Sequence, residues 1–247
     1  MKSRKWRTRP AAFFLGNPHP LARGGAVAVI GLGRFGGSLA TELAAYGVDV
    51  IGIDLDEAVV AQYSDKLAFV SRTDATDETV LRQLGIEEVS RVVIAIGNNV
   101  EAGILVASKV LKIGNQHIWA KAVSQTHADI LGQLGIDNVI RPENDMGRRT
   151  AHLIRGHMSD FMPVSEDFVL ARTAPPVRIS DSPLASFDIR REYGISVVAF
   201  RRDGEDTWNI ADQDVTLYAN DEILVAGSPR EVEDFSTLDE EDDEEEG

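Results

Sequence analysis

Gly31, Gly33, Arg34 and Asp54 are the residues whose types and spacing best suit chemistry in this chain of 247 residues. The glycines belong to Gly31-Leu32-Gly33-Arg34-Phe35-Gly36, and each meets a separate mechanical need. Gly31 permits a tight turn, Gly33 lets an anionic group come close to the backbone, and Gly36 lets a helix pack against a strand. The N–H groups at the start of that helix are unpaired and bind anions such as phosphate. Asp54, at the end of the next apolar run, is placed to accept hydrogen bonds from a ribose. A glycine-rich turn that serves conformation alone is the competing reading, and context weighs against it. Apolar residues 26–30 lead into the loop, Phe35, Leu39 and Leu43 mark one helical face after it, and the acid follows at the right distance. The order strand, turn, helix, strand, acid points to an adenine-nucleotide or dinucleotide site.

The elements that must position these residues follow the same alternation. Strands are expected near Leu67–Val70, Arg91–Ile96, His117–Lys121 and Asn138–Ile140, with helices near Glu57–Gln62, Glu78–Leu84, Val100–Leu111 and Gln125–Leu134. Right-handed crossovers bring the C-terminal ends of all these strands to one edge of a parallel sheet, where ligands of such folds bind. Residues just past the strand ends are therefore site candidates. Asp74 is suited either to an adenine amino group or to capping the next helix. Gly97 allows close backbone approach, and Asn98 or Asn99 can cap the helix after it. Lys121 ends a strand with its ammonium toward the crevice and any phosphate there, although a surface lysine would need no such role.

Beyond Arg141-Pro142-Glu143, a helix is expected from Asp145 to His157, with Met146, Thr150, Leu153 and Ile154 as its apolar stripe. It has no sheet strand to return to, so its natural cover is a partner subunit. A change of pattern after it marks a second, smaller α+β lobe. Ser159 to Pro163 reads as the linker, Val164 to Ala171 as a strand, Ser182 to Tyr193 as a short helix closed by Gly194, and Ile195 to Arg201 and Glu222 to Ala226 as strands. The expected fold is thus a Rossmann-like doubly wound parallel sheet, a crossover helix and a small α+β C-terminal lobe. Its divisions are a basic disordered leader (1–24), the nucleotide-binding domain (25–143), the crossover helix (144–158), the lobe (159–235) and an acidic disordered tail (236–247).

Composition excludes several functions. The hydrophobic fraction of 43% supports ample core, and no apolar run approaches the roughly 20 residues that span a bilayer, so a cytoplasmic location is expected. The chain has no cysteine, hence no disulfide, thiolate nucleophile or cysteine metal site. Of the net charge of −15, the eight acids at 239–246 contribute −8 and five bases in the first nine residues +5, which leaves −12 for residues 10–238. Such an acidic body repels nucleic acid. A dinucleotide domain raises the alternative of an NAD-dependent oxidoreductase, which needs a positioned acid or base beside its substrate. There is no Tyr-x-x-x-Lys pair, and no histidine is paired in sequence with an acid in the second lobe. His152 and His157 carry no metal spacing, His117 lies at a strand start away from the crevice, and His127 is in a helix. A nucleotide site without visible chemistry points to sensing.

Taken together, Val29-Ile30-Gly31-Leu32-Gly33-Arg34-Phe35-Gly36, Asp54, Asp74-Ala75-Thr76, Val93-Ile94-Ala95-Ile96-Gly97, Ile118-Trp119-Ala120-Lys121-Ala122 and Arg141-Pro142-Glu143-Asn144-Asp145-Met146-Gly147 resemble the ring-forming regulators of conductance of potassium, specifically the cytoplasmic subunits of Ktr- and Trk-type potassium-uptake systems. Ser182-Pro183-Leu184 through Gly194-Ile195-Ser196-Val197-Val198-Ala199 is similar to that family's C-terminal lobe. The resemblance implies dimers formed through the helix after the hinge and octameric rings on a membrane-embedded potassium-translocating subunit, with ATP, ADP, NAD or NADH in the Rossmann crevice. It implies cofactor contacts at Gly31, Gly33, Arg34, Phe35, Gly36, Asp54, Leu55, Asp74, Ala75, Gly97 and Lys121. Arg34 would reach a γ-phosphate in the neighbouring subunit, and Glu143 would help place Mg2+ or another cation beside the phosphates. An arginine in the phosphate loop suits a terminal phosphate better than it suits an NAD enzyme. Some members also bind cyclic di-AMP in the C-terminal lobe; here Asp188 and Arg190 match, but Ser196 stands where an asparagine is expected.

Overall fold

The computed structural model describes residues 25–115, 117–155, 158–165 and 167–239. The basic leader, His157 and the tail from residue 240 lie outside the described residues.

A parallel strand covered on both faces must be apolar at nearly every position, and β1 (Val27–Ile30) is buried throughout. It sits in the middle of a six-stranded parallel sheet of order β3-β2-β1-β4-β5-β6, where β2 is Val50–Asp54, β3 Phe69–Arg72, β4 Arg91–Ile94, β5 Ile118–Lys121 and β6 Asn138–Ile140. Val27 pairs with Val50 on one side and Arg91 on the other. Successive side chains of a strand point to opposite faces, and β1 divides accordingly. Ala28 and Ile30 join a core with Ile51, Leu81, Val106 and Leu131, while Val27 and Val29 join another with Ala40, Val50 and Tyr63.

Five helices link these strands: α1 (Arg34–Ala45), α2 (Glu57–Tyr63), α3 (Glu78–Gln83), α4 (Val100–Lys112) and α5 (Gln125–Gln133). Four begin on a side-chain cap that satisfies a free N–H. Asp56 accepts from Ala58, Asp77 from Thr79, Asn99 from Ala102 and Ser124 from His127, at 2.8–3.1 Å. The start of α1, at Gly33, has no such cap. This asymmetry leaves one open helix N-terminus among the five.

The next helix, α6, spans Pro142–Arg155 and so begins three residues before the expected Asp145. The reason is that proline suits a first helical position, where its missing N–H is not needed and its φ is already helical. Glu143 therefore sits on the first turn of a helix rather than in a hinge loop. The chain divides into two compact units between Glu143 and Asn144.

The second unit holds a five-stranded antiparallel sheet of order β10-β9-β11-β8-β7. Its strands are β7 (Met158–Pro163), β8 (Val169–Thr173), β9 (Ser196–Arg201), β10 (Asn209–Ile210) and β11 (Glu222–Gly227). Residues 159–163, expected as a linker, are thus part of an edge strand: the backbone pairs with β8 on either side of a bulge at Ser159, and Met158 and Phe161 are buried in the core of this unit. The helix expected over 182–193 is split into a 3-10 turn at Leu184–Ser186 and α7 (Ile189–Tyr193), which Gly194 closes at φ 73°. A last helix, α8 (Pro229–Ser236), extends beyond the expected strands on a capping box between Ser228 and Glu231, and buries Val232 and Phe235. No described helix is long and apolar enough to cross a membrane.

Candidate functional site

Where the carboxyl ends of β1, β2, β3, β4 and β5 meet, the first unit opens into a cleft of about 780 Å³, a size typical of small-molecule sites. Its floor is the turn after β1. Gly31 takes φ 92°, and a Cβ there would come within 3.1 Å of the Ala95 carbonyl carbon, so the turn demands glycine twice over. Gly36 is equally constrained, since a Cβ would fall 1.9 Å from the Gly31 oxygen. It packs α1 against the turn and is not among the cleft-lining residues, although the sequence pattern groups it with the contacts.

Gly33 is different. Its φ is −63°, an ordinary value, and a Cβ would meet no protein atom within 4 Å. The described residues do not require glycine at this position, whereas a ligand resting against the open start of α1 would. Gly33, Arg34 and Phe35 all line the cleft there. Arg34 is exposed at the first position of α1, and no hydrogen bond or ion pair of its guanidinium is found among the described residues.

On the β2 side, Asp54 accepts from the Leu32 N–H at 2.7 Å and from the Asp56 N–H at 2.9 Å, one on each oxygen. A carboxylate offers about four lone-pair sites, so each oxygen keeps capacity for a further donor such as a ribose hydroxyl. Leu55 is exposed beside it, and Val59 lines the same wall. Past β3, Asp74 accepts from both the N–H and the hydroxyl of Thr76, at 2.9 and 2.7 Å. These two donors hold its carboxyl below the usual carboxylate range. Asp77, not Asp74, caps α3, so of the two roles open to Asp74 the capping one belongs to its neighbour. Ala75 lies buried between them on the cleft wall.

Opposite stand Gly97, Lys121 and Glu143. Asn99 takes the cap of α4, and both Asn98 and Asn99 line the cleft. Lys121 does not wait free for a phosphate: its ammonium donates to the Glu143 carboxylate, and this bond holds the Glu143 carboxyl below its usual range, with Arg34 adding a smaller pull. The Lys121 Nζ also sits 5.8 Å from the centre of the Phe35 ring. Among the described residues no group of three His, Asp or Glu could hold a metal by itself. Glu143 is then a single carboxylate, suited to a cation only in company with ligand phosphates.

The eleven residues grouped as cofactor contacts from sequence thus lie around one cleft, with Gly36 behind its wall. Sequence reasoning missed Asp56, Val59, Ala102, Val106 and Val123, which line it from the starts and first two turns of helices and from just past β5. Their only signal was position, two to twelve residues after a strand end. In the second unit a shallower groove of about 640 Å³ is lined by Phe187, Asp188, Arg190, Ser196 and Gln213, among others.

A doubly wound parallel sheet with an uncapped glycine turn at its switch point, joined to a small antiparallel lobe, defines a Rossmann-type ligand-binding protein with an appended second unit. Residues 27–142 match the TrkA-N domain and residues 168–238 the TrkA-C domain. The Ktr system potassium uptake protein C of Bacillus subtilis (strain 168) is 35% identical over 209 residues, 84% of this chain and 94% of that one. The Ktr system potassium uptake protein A of Vibrio alginolyticus is 29% identical over 201 residues, covering 81% and 91% of the two chains. Among solved structures, the GsuK channel bound to NAD superposes with a TM-score of 0.60 at 15% identity, over 87% of this chain and 39% of that one, a likeness of fold. The chain belongs to the family of TrkA-N and TrkA-C domain proteins that includes the Ktr potassium-uptake proteins.

Proposed function

We propose that this chain is a nucleotide-sensing regulatory subunit of a membrane potassium-uptake system, and that its role is regulatory rather than catalytic. The observation that carries the reading is Gly33: a glycine that the fold does not need, at the one uncapped helix start among α1–α5, facing a cleft across from Asp54. Free N–H groups and a helix dipole there suit a pyrophosphate, and the doubly engaged Asp54 suits the ribose. The Ktr relatives, named as potassium-uptake proteins, supply the process.

In this reading residues 25–143 bind ATP, ADP or NAD(H), residues 144–158 cross to a partner subunit, and residues 159–235 form the regulatory lobe. A second copy covers α6, such dimers assemble into an octameric ring, and the ring acts on the cytoplasmic face of a membrane-embedded potassium-translocating subunit. A cation beside the phosphates would be held by Glu143 together with phosphate oxygens.

Calorimetric titration of the full chain with ATP, ADP and NADH tests the core of this proposal. Saturable binding of at least one of them at micromolar concentration is expected. Absence of binding by all three at millimolar concentration would overturn it.

A further inference from the structure

Lys121 and Glu143 form an ion pair between unlike environments. The lysine side chain, at the end of β5, is 10% exposed, whereas the glutamate side chain, on the first turn of α6, is 63% exposed. A charge as covered as this ammonium cannot simply relax into water when it loses its partner. It must exchange one anion for another. The space around it says where the second anion would come from. A Cβ built on Gly97 would lie 3.2 Å from the Lys121 Nζ, and the Phe35 ring on the first turn of α1 lies on another side. Lys121 therefore stands between the open N-terminus of α1 and the start of α6. Arg34, on the same turn of α1, adds positive charge to the field felt by Glu143.

We propose that the Lys121–Glu143 pair is a phosphate-displaceable latch on the first turn of α6: a nucleotide phosphate arriving at the start of α1 takes the ammonium from Glu143 and releases the helix start. This rests on the nucleotide reading of the cleft and adds to it the pair of side chains through which occupancy is felt outside the cleft. The energetic logic is that a ligand moves an equilibrium only by its differential affinity for the two states. With the latch closed, a phosphate must break an ion pair to gain Lys121; with the latch open it gains Lys121 directly. A partly exposed pair of this kind limits the difference to about two- to five-fold in affinity. Adenosine, which has no phosphate, does not sense the latch at all.

The test uses the full chain without divalent cations, in wild type, Glu143→Gln, Lys121→Gln and the double variant, each titrated with ADP and with adenosine. Glu143→Gln is expected to bind ADP about two- to five-fold tighter than wild type and adenosine equally well. In the Lys121→Gln background the same substitution is expected to bring no comparable gain, because the coupling is then absent. Amide exchange gives the second readout: ADP should speed exchange at residues 146–149 in wild type, and Glu143→Gln should exchange fast there before any ligand is added. Unchanged or weaker ADP binding by Glu143→Gln would overturn the latch. Equal tightening with and without Lys121 would also overturn it, since that is mere relief of repulsion between carboxylate and phosphate. If wild type itself binds neither ligand, the nucleotide reading falls and the latch with it, a result distinct from binding that ignores Glu143.

Discussion

Both oxygens of Asp54 are oriented by backbone donors, Leu32 at 2.7 Å and Asp56 at 2.9 Å, before any ligand arrives. A preoriented carboxylate makes charge-assisted bonds to hydroxyls at little further entropic cost. Asp54→Ala is accordingly expected to weaken ATP, ADP and NADH together by about ten- to hundred-fold, the worth of a hydrogen bond to a charged group. Calorimetry showing all three unchanged would move the ribose elsewhere. Arg34 makes a different prediction because it extends past the loop's own N–H groups and has no hydrogen bond or ion pair among the described residues. Arg34→Ala should weaken ATP and leave ADP nearly unaffected, since only ATP carries a third phosphate for the guanidinium to meet. Equal effects on the two nucleotides in paired titrations would make Arg34 an ordinary loop residue. At this scale the sequence was readable where backbone geometry dictates residue type, as at Gly31 and Gly36, and where a strand end dictates location, as at Asp54. It was unreadable where contacts run through space. The Lys121–Glu143 pair spans 22 positions, and His152 meets Glu233 across 81, a histidine–acid pair that sequence proximity could not reveal.

Among the elements, α5 carries an internal tension that α1–α4 do not. Its His127 is 2% exposed; Nδ1 accepts from the Val123 N–H at 3.4 Å, and Nε2 is buried with no partner among the described residues. Burial penalises the charged ring and lowers the His127 pKa from its ordinary value. The unfolded chain therefore binds more protons than the folded one once the pH drops below about 6.5, the ordinary histidine value. The stability from neutral His127 is fully present above that pH and is lost as the pH falls from there toward the lowered folded value. His127→Leu should flatten the decline in urea midpoint between pH 7 and 5.5, while the paired carboxyls of Asp74, Glu143 and Asp160, all held low, govern the fall at more acidic pH. An unchanged slope in that window would assign the decline to other groups. The central strands β1, β2 and β4 were legible because burial on both faces makes them near-continuous apolar runs, whereas β3, outside them, lies two residues later than expected. The features that escaped notice have other sources of order: β7 buries only Met158 and Phe161 and otherwise rests on backbone pairing, and α6 was expected but starts three residues early, on a proline that reads as a breaker. In α8 the Ser228-Pro229-Arg230-Glu231 capping signal was present but overshadowed by the acidic run that follows.

For the molecule as a whole, the question is what covers α6. The sequence stripe joined Met146, Thr150, Leu153 and Ile154, but the structure divides it. Leu153 packs on the core of the second unit, and the same side of the helix is tied down by Arg149 to Asp160 and by His152, which meets Glu233 at 2.8 Å and stacks on Phe161 at 4.1 Å between ring centres. Met146, Thr150 and Ile154, spaced four residues apart, remain exposed, Met146 by 56% and Ile154 by 80%. Two large apolar side chains held out on an anchored helix give a self-complementary surface of the kind that twofold dimers bury. A second copy is the cover expected in the proposed reading. The chain should therefore not persist as a monomer: light scattering at micromolar concentration is expected to give at least twice the chain mass of 26.9 kDa. Met146→Lys/Ile154→Lys places two charges on that face without touching Leu153 or the tethering pairs, so it should lower the mass while the fold, followed by circular dichroism, persists. A wild-type mass near that of one chain would refute the dimer, and a doubly substituted chain that keeps its full mass would move the interface off this face of α6.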